Sequence, residues 1–172
     1  VGGAGADQLE GGGGWDVVSY ESSNAGVVVS LQTGTGQGGH AEGDVLSDFE
    51  GVIGSNFNDT LTGDGRGNSL QGGLGADVIN GGGGFDEANY YGSNAGVHVD
   101  LRTRVGSGGH AQGDLLTSIE GLGGSQHADI LIGDDLGNYF AGRGGADIIV
   151  GGGGFDQGNY GESQGGVSIN LA

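Results

Sequence analysis

The chain contains no cysteine, proline, methionine or lysine, and four arginines are its only permanently cationic side chains. Without cysteine the fold cannot be held by disulfides, which fits a protein that folds on metal. Without proline or a glycine at every third position the chain cannot be a collagen helix. No apolar run approaches about 18 residues, so no membrane insertion is expected. The formal net charge of −18 opposes binding to nucleic acid and to anionic membrane surfaces.

Glycine, in contrast, supplies 47 of the 172 residues. This density disfavours helices, because ordering a glycine costs more backbone entropy than ordering other residues. Side chains this small cannot offset that cost through apolar burial alone, and the acidic groups repel one another. We therefore expect the metal-free chain to be disordered and to require divalent cations for folding.

A nine-residue pattern, G-G-x-G-x-D-x-U-x with U apolar, fills a little over half of the chain, at residues 2–19, 54–89 and 124–159. Its glycine half predicts a tight turn that offers backbone carbonyls and one carboxylate, and its x-U-x half predicts a very short strand. The U side chains should point inward. They are Leu9, Val18, Leu61, Leu70, Ile79, Ala88, Leu131, Phe140 and Ile149, and Gly158 breaks the pattern.

A second period of 70 residues lies over the first, so that Tyr20 returns as Tyr90 and Tyr160. Repetition at a fixed period predicts a solenoid in which each unit buries its apolar edge against its neighbours. We expect a single continuous β-roll over residues 1–172, built from units 1–70 and 71–140 and a partial unit 141–172. Because the chain begins and ends within a unit, we expect it to be a piece of a longer array.

The nonapeptides resemble the hemolysin-type calcium-binding repeats of the RTX (repeats-in-toxin) family. The intervening residues 20–53 and 90–123 resemble segments that accompany such repeats in large secreted bacterial proteins. This resemblance implies an all-β fold, a parallel β-roll (β-solenoid), with calcium in the turns. It also implies type I export and an extracellular or cell-surface location.

Turns eighteen residues apart should stack on the same edge, which predicts the side chains that share a cation. The predicted pairs are Asp59 with Asp77, Asn68 with Asp86, Asp129 with Asp147, and Asn138 with Asp156. Asp7 and Asp16 lie in complete turns whose preceding partners fall outside the chain. Carbonyl ligands are expected from the turn glycines Gly72, Gly75, Gly81, Gly84, Gly142, Gly145, Gly151 and Gly154.

Such sites suit calcium, which takes six to eight oxygens, better than magnesium, which demands a tight octahedron. Zinc is not expected, because sulfur ligands are absent and the few histidines do not cluster. Asn68 and Asn138 should weaken their sites, although Asp64 and Asp134 in the second turn position would compensate. Glu50 and Glu120 are either further turn ligands or ordinary solvated acids.

The segments between the repeats should add strands at residues 27–31 and 97–101, which we expect to continue the two sheets. Residues 34–43 and 104–113 are predicted to bulge as loops, because glycine disfavours strands. Trp15, Phe85 and Phe155 recur at one position. We expect them to clamp the end of each nonapeptide block, and the alternative is a ladder of platforms for sugar rings.

No catalytic constellation is present, and we expect no enzyme activity. Residues 161–165 match the nucleophile-elbow string, but the equivalent residues 91–95 and 21–25 lack its glycines.

The second unit carries more outward apolar side chains than the first, at Ile130, Ile132, Ile148 and Val150. This patch predicts homotypic contacts between rods or filaments, or the docking of a neighbouring domain.

Two functions fit the sequence. One is a calcium-binding structural or adhesive module of a large secreted or surface protein, which folds on extracellular calcium into a rigid rod. The other is the C-terminal accessory region of a secreted enzyme or toxin, such as a protease, lipase or epimerase. A third possibility, ice binding, would need an outward threonine ladder, and Thr60 and Thr62 do not recur as threonine.

Overall fold

The computed structural model describes residues 2–163 and 165–171, and its regular structure is almost entirely short β-strands of three residues each. The strands of the first half are β1 (Gln8–Glu10), β2 (Val17–Ser19), β3 (Val28–Ser30), β4 (Thr35–Gln37), β5 (Val45–Ser47), β6 (Gly51–Ile53), β7 (Thr60–Thr62), β8 (Ser69–Gln71), β9 (Val78–Asn80) and β10 (Glu87–Asn89). Those of the second half are β11 (His98–Asp100), β12 (Val105–Ser107), β13 (Leu115–Thr117), β14 (Gly121–Gly123), β15 (Ile130–Ile132), β16 (Tyr139–Ala141), β17 (Ile148–Val150), β18 (Gln157–Asn159) and β19 (Ser168–Asn170). Two single 3-10 turns, Gly39–Ala41 and Gly109–Ala111, interrupt them.

Successive nonapeptides alternate between two sheets. The twelve-stranded sheet has the order β1-β5-β4-β3-β7-β9-β13-β12-β11-β15-β17-β19, and the seven-stranded sheet has the order β18-β16-β14-β10-β8-β6-β2. Strands eighteen residues apart pair in parallel and in register, as Leu61 does with Ile79 and Val52 does with Leu70. The predicted parallel β-roll and its eighteen-residue stacking are therefore confirmed.

The core is enclosed between the sheets and consists of the U side chains together with inward residues of the intervening segments, such as Val29 and Leu116. Eight of the nine predicted inward residues are buried, and Leu9, on the terminal strand, is partly buried. Most strands bury only their central residue because successive side chains of a strand point to opposite faces, whereas β6 and β14 also bury glycines. The core therefore contains few large side chains, and Tyr90 and Phe140 are the largest fully buried ones.

The prediction of loops at residues 34–43 and 104–113 was wrong, because β4 and β12 are strands of the twelve-stranded sheet and pair antiparallel to their neighbours. Glycine is needed at their centres for space: a Cβ on Gly36 would lie 2.8 Å from the carbonyl oxygen of Ala41, and Gly106 repeats this contact. The strands β3 and β11 form at the predicted places, but both join the twelve-stranded sheet, so they do not extend both sheets.

Tyrosine, and not the recurring aromatic before it, fills the space where the first two blocks of nonapeptides end, whereas the third tyrosine, Tyr160, is exposed. Tyr20 and Tyr90 are buried, whereas Trp15, Phe85 and Phe155 are 61%, 51% and 78% exposed. The predicted clamp by these three rings was therefore wrong, and the alternative, platforms for sugar rings, stays a prediction.

Candidate metal centre

Two columns of acidic and amide side chains follow the edges of the roll, one before each sheet. Before the seven-stranded sheet the column contains Asp16, Glu50, Asn68, Asp86, Glu120, Asn138 and Asp156. Before the twelve-stranded sheet it contains Asp7, Asp44, Asp59, Asp77, Asp114, Asp129 and Asp147. Equivalent turns of successive units therefore lie on the same edge.

Hydrogen bonds join the members of each column that lie eighteen residues apart within a block of nonapeptides. The backbone N–H of Asp59 donates to Asp77 Oδ1 at 2.8 Å, and that of Asn68 donates to Asp86 Oδ1 at 2.8 Å. The pairs Asp129 with Asp147 and Asn138 with Asp156 repeat this contact at 3.1 and 2.9 Å. All four predicted pairs are thus neighbours, and one carboxylate oxygen of each aspartate points to the turn stacked against it.

The second oxygen of six of these aspartates is buried and has no hydrogen-bond partner among the described residues. These oxygens are Oδ2 of Asp7, Asp16, Asp77, Asp86, Asp147 and Asp156. A buried carboxylate oxygen without a donor is costly, and a bound cation removes that cost. The six side chains therefore fit a calcium ion in their turns, and their role as ligands stays a prediction.

In the other four predicted residues, the corresponding oxygen accepts a hydrogen bond from a backbone N–H. Asp59 Oδ2 accepts the backbone N–H of Ser55 at 2.6 Å, and Asp129 Oδ2 accepts that of Ser125 at the same distance. Asn68 and Asn138 accept backbone N–H groups through Oδ1 in the same way, from Asp64 at 2.7 Å and from Asp134 at 2.9 Å.

The residue in the second turn position differs between turns whose aspartate has an unsatisfied oxygen and turns whose aspartate or asparagine accepts an N–H from its own turn. In five of the six turns with an unsatisfied aspartate it is a glycine with positive φ, as in Gly73 at 105°, and in the sixth it is Arg143 at 66°. Serine or aspartate at this position donates its N–H to the turn's own side chain instead. This difference is visible in the sequence, although the nonapeptide pattern alone does not draw attention to it.

The predicted turn glycines leave room for the carboxylate and for the adjacent layer. A Cβ on Gly72, Gly81, Gly142 or Gly151 would collide with the aspartate of the same turn. Gly75, Gly84, Gly145 and Gly154 have φ between 93° and 132° and lie against a carbonyl of the stacked turn. Carbonyls of one turn therefore lie against glycines of the next, and the role of these turns as calcium ligands stays a prediction.

Burial raises the pKa of the carboxyls of Asp77, Asp86 and Asp147. For Asp77 the pKa rises from 3.8 to about 7, and the charges of Asp114 and Asp59 add to the effect of burial. For Asp86 burial and the charge of Glu120 raise the pKa to about 6. Burial also raises the pKa of Asp147. The metal-free fold thus favours the protonated forms, and a divalent cation would supply the missing counter-charge.

Glu50 and Glu120 lie in turn positions, as one of their two interpretations predicted, because each accepts the N–H of the aspartate stacked on it at 3.0 Å. Asp44 and Asp114 belong to the other column, where the sequence pattern did not place them. Asp114 accepts the Asp77 N–H at 2.9 Å through Oδ1 and the Tyr90 hydroxyl at 3.0 Å through Oδ2. Asp64 Oδ2 accepts a hydrogen bond from Arg66 Nε at 3.0 Å, and its compensation for Asn68 stays a prediction.

Side chains alone do not form a metal cage. Over residues 2–163 and 165–171, no three histidine, aspartate or glutamate side chains gather in a way that would hold an ion. Most ligands of any bound cation would therefore be backbone carbonyls.

Over residues 2–163 and 165–171 no helix is long and apolar enough to span a membrane.

Comparison with known proteins identifies the repeats. The family model of the RTX calcium-binding nonapeptide repeat, in four copies, matches residues 1–24, 53–88 and 123–157, which is more than half of the chain. No curated protein matches the chain. Stacked turns, unsatisfied buried carboxylates and this match agree, and the chain belongs to the RTX calcium-binding nonapeptide repeat family.

Proposed function

We propose that this β-roll is a structural or adhesive module of a large secreted or cell-surface bacterial protein, and that extracellular calcium folds it into a rigid rod. The observation that carries the proposal is the set of six buried carboxylate oxygens without partners, distributed over the turns of both edges. An ion at each of these turns would complete an otherwise unfavourable structure.

The energetics support folding after export. A chain with a net charge of −18 repels itself, and burial of its carboxylates adds to the cost of folding without metal. Each calcium site contributes about 2.7 kcal/mol when the free ion is 100-fold above its dissociation constant. Calcium is scarce in the cytosol and abundant outside, so the same chain would stay unfolded before type I secretion and fold after it.

The solvent face of the twelve-stranded sheet supports a contact role. Ile130 pairs with Ile148 and Ile132 pairs with Val150 on this face, and Ile148 is exposed, whereas on their other side Ile130 and Ile132 pair with His98 and Asp100. The seven-stranded sheet instead presents polar residues such as Ser69 and Gln157. We propose that rods pack laterally or form filaments through the apolar face.

A second candidate is the calcium-binding accessory region of a secreted enzyme or toxin. The family match is compatible with both functions, because the repeat is the same in each. The full-length gene distinguishes them: many further 70-residue units favour the rod, and a preceding hydrolase or protease domain favours the accessory region.

The test of the main proposal is a calcium titration followed by far-UV circular dichroism, with magnesium as the control. We expect a cooperative transition from coil to β-structure with calcium alone. A β-spectrum that is already complete in chelator would refute calcium-driven folding. Glutamate at both Ile130 and Ile148 should weaken self-association in sedimentation velocity, and glutamate at Thr60 and Ser69 serves as a control of equal charge.

A further inference from the structure

A cavity in the second unit is open where the first unit is closed. The cavity measures about 220 Å³ and lies between the end of β13 and the turn before β16. The position 70 residues earlier contains a space of only about 20 Å³. Since one water needs about 10–15 Å³, the first unit has room for a water there, and the second has room for a small organic group.

Arg66 closes the position in the first unit. Its Nη1 lies 3.3 Å from Glu50 Oε1, and its Nη2 and Nε each lie 3.0 Å from Asp64 Oδ2. The guanidinium therefore bridges two carboxylates across adjacent layers of the roll. The positive charge of the guanidinium neutralises these two acids, which the fold brings close together.

The second unit keeps the two acids and loses the arginine. Leu136 stands in the position of Arg66, whereas Glu120 and Asp134 repeat Glu50 and Asp64. Glu120 Oε2 accepts the Asp86 N–H at 3.0 Å, and Asp134 Oδ1 accepts the Leu136 N–H at 2.8 Å. Among the described residues no arginine or histidine forms an ion pair with either acid, so Glu120 Oε1 and Asp134 Oδ2 are available to a ligand.

We propose that this cavity binds a guanidinium group on an aliphatic chain, such as an arginine side chain presented by a partner protein. Glu120 and Asp134 would hold the cation as their counterparts hold Arg66. Leu101, Leu116 and Leu136 line the same cavity and would pack against the aliphatic stem. The apolar lining favours an organic cation over a metal ion, which would need further oxygens there.

Arg104 is the competitor that the chain itself provides. Arg104 lines the cavity, and its backbone lies in the left-handed region with φ of 62°. The equivalent residue of the first unit is Gly34. Strained backbone of this kind is concentrated at functional sites. Its guanidinium makes no ion pair with the described residues, so the site is accessible in this conformation.

A reciprocal exchange between the units tests the proposal in the calcium-loaded chain. The probe is n-butylguanidine, with n-butylurea as the uncharged control, and binding is measured by calorimetry. The wild type should bind one equivalent of the probe. Leu136→Arg should weaken binding roughly tenfold or more, and Arg66→Leu should create a second site. Circular dichroism verifies that both variants fold. We expect both to fold, because one unit already has arginine at this position and the other already has leucine.

Several outcomes would overturn the proposal. They are no binding to the wild type, equal binding of n-butylurea, or unchanged binding in Leu136→Arg. Binding that appears only in Arg104→Ala would mean that Arg104 fills the cavity. Native mass spectrometry adds a direct check: one calcium ion fewer in Leu136→Arg than in the wild type would identify the cavity as a calcium site instead.

Discussion

Replacement of Asp77 by asparagine should have opposite effects on stability without and with calcium. In the metal-free fold, burial raises the pKa of Asp77 from 3.8 to about 7. A carboxyl with a raised folded-state pKa favours folding below its unfolded pKa, and that contribution is lost as the pH rises through the folded value. The difference between 3.8 and about 7 corresponds to about 4 kcal/mol at pH 8. An asparagine side chain at this position does not ionise and avoids this penalty.

The expected result is therefore specific to pH and metal. In chelator at pH 8, Asp77→Asn should be more stable than the wild type by up to about 4 kcal/mol, and the advantage should disappear near pH 4. In calcium at pH 8 the variant should become less stable once the free ion exceeds about 1,000 times the dissociation constant of the site, because the lost site then contributes more than about 4 kcal/mol and outweighs the avoided penalty.

The assay is urea unfolding followed by far-UV circular dichroism, with a stabilising osmolyte added where the metal-free chain is unfolded. If Asp77→Asn destabilises the metal-free chain at pH 8, the protein itself stabilises the charge and the reasoning is wrong. Asp59→Asn is the control for ion count. Native mass spectrometry should show one calcium fewer in Asp77→Asn only, because Asp59 already accepts the Ser55 N–H.

The remaining predictions concern the turns, the buried tyrosine and the core, and all are measured by urea unfolding in calcium. Gly73→Ala should cost about 1–2 kcal/mol, because φ is 105° there, whereas Gly83→Ala, whose Cβ meets nothing closer than 3.8 Å, should be nearly neutral. Tyr90→Phe should cost about 1–3 kcal/mol, because it leaves the buried Oδ2 of its aspartate partner without a donor. Tyr91→Phe, at an exposed ring, should change stability by less than about 0.5 kcal/mol, and a similar loss in both tyrosine variants would contradict the buried bond. Leu70→Ala should lower the free energy of unfolding by about 2–5 kcal/mol, and a smaller loss would mean that the core relaxes to fill the cavity.

The sequence by itself determined the repeating part of the fold. A turn of fixed length followed by three residues with one apolar centre allows one inward side chain per strand, so Leu61 and Ile79 could be placed in the core and in register without coordinates. The same eighteen-residue spacing placed Asp77 beside Asp59. These inferences succeeded because every interaction involved lies between neighbouring copies of one pattern.

Only the tertiary structure decided what happens between the repeats. Strand β4 forms despite its glycine because it pairs with β3 on one side and β5 on the other, and local propensity does not contain these pairings. In the same way, Asp114 enters the turn column through a hydrogen bond to Asp77, 37 residues away. The difference between Asp59 and Asp77 is local in contrast, because a serine or a glycine in the second turn position decides whether the buried oxygen meets an N–H of its own turn.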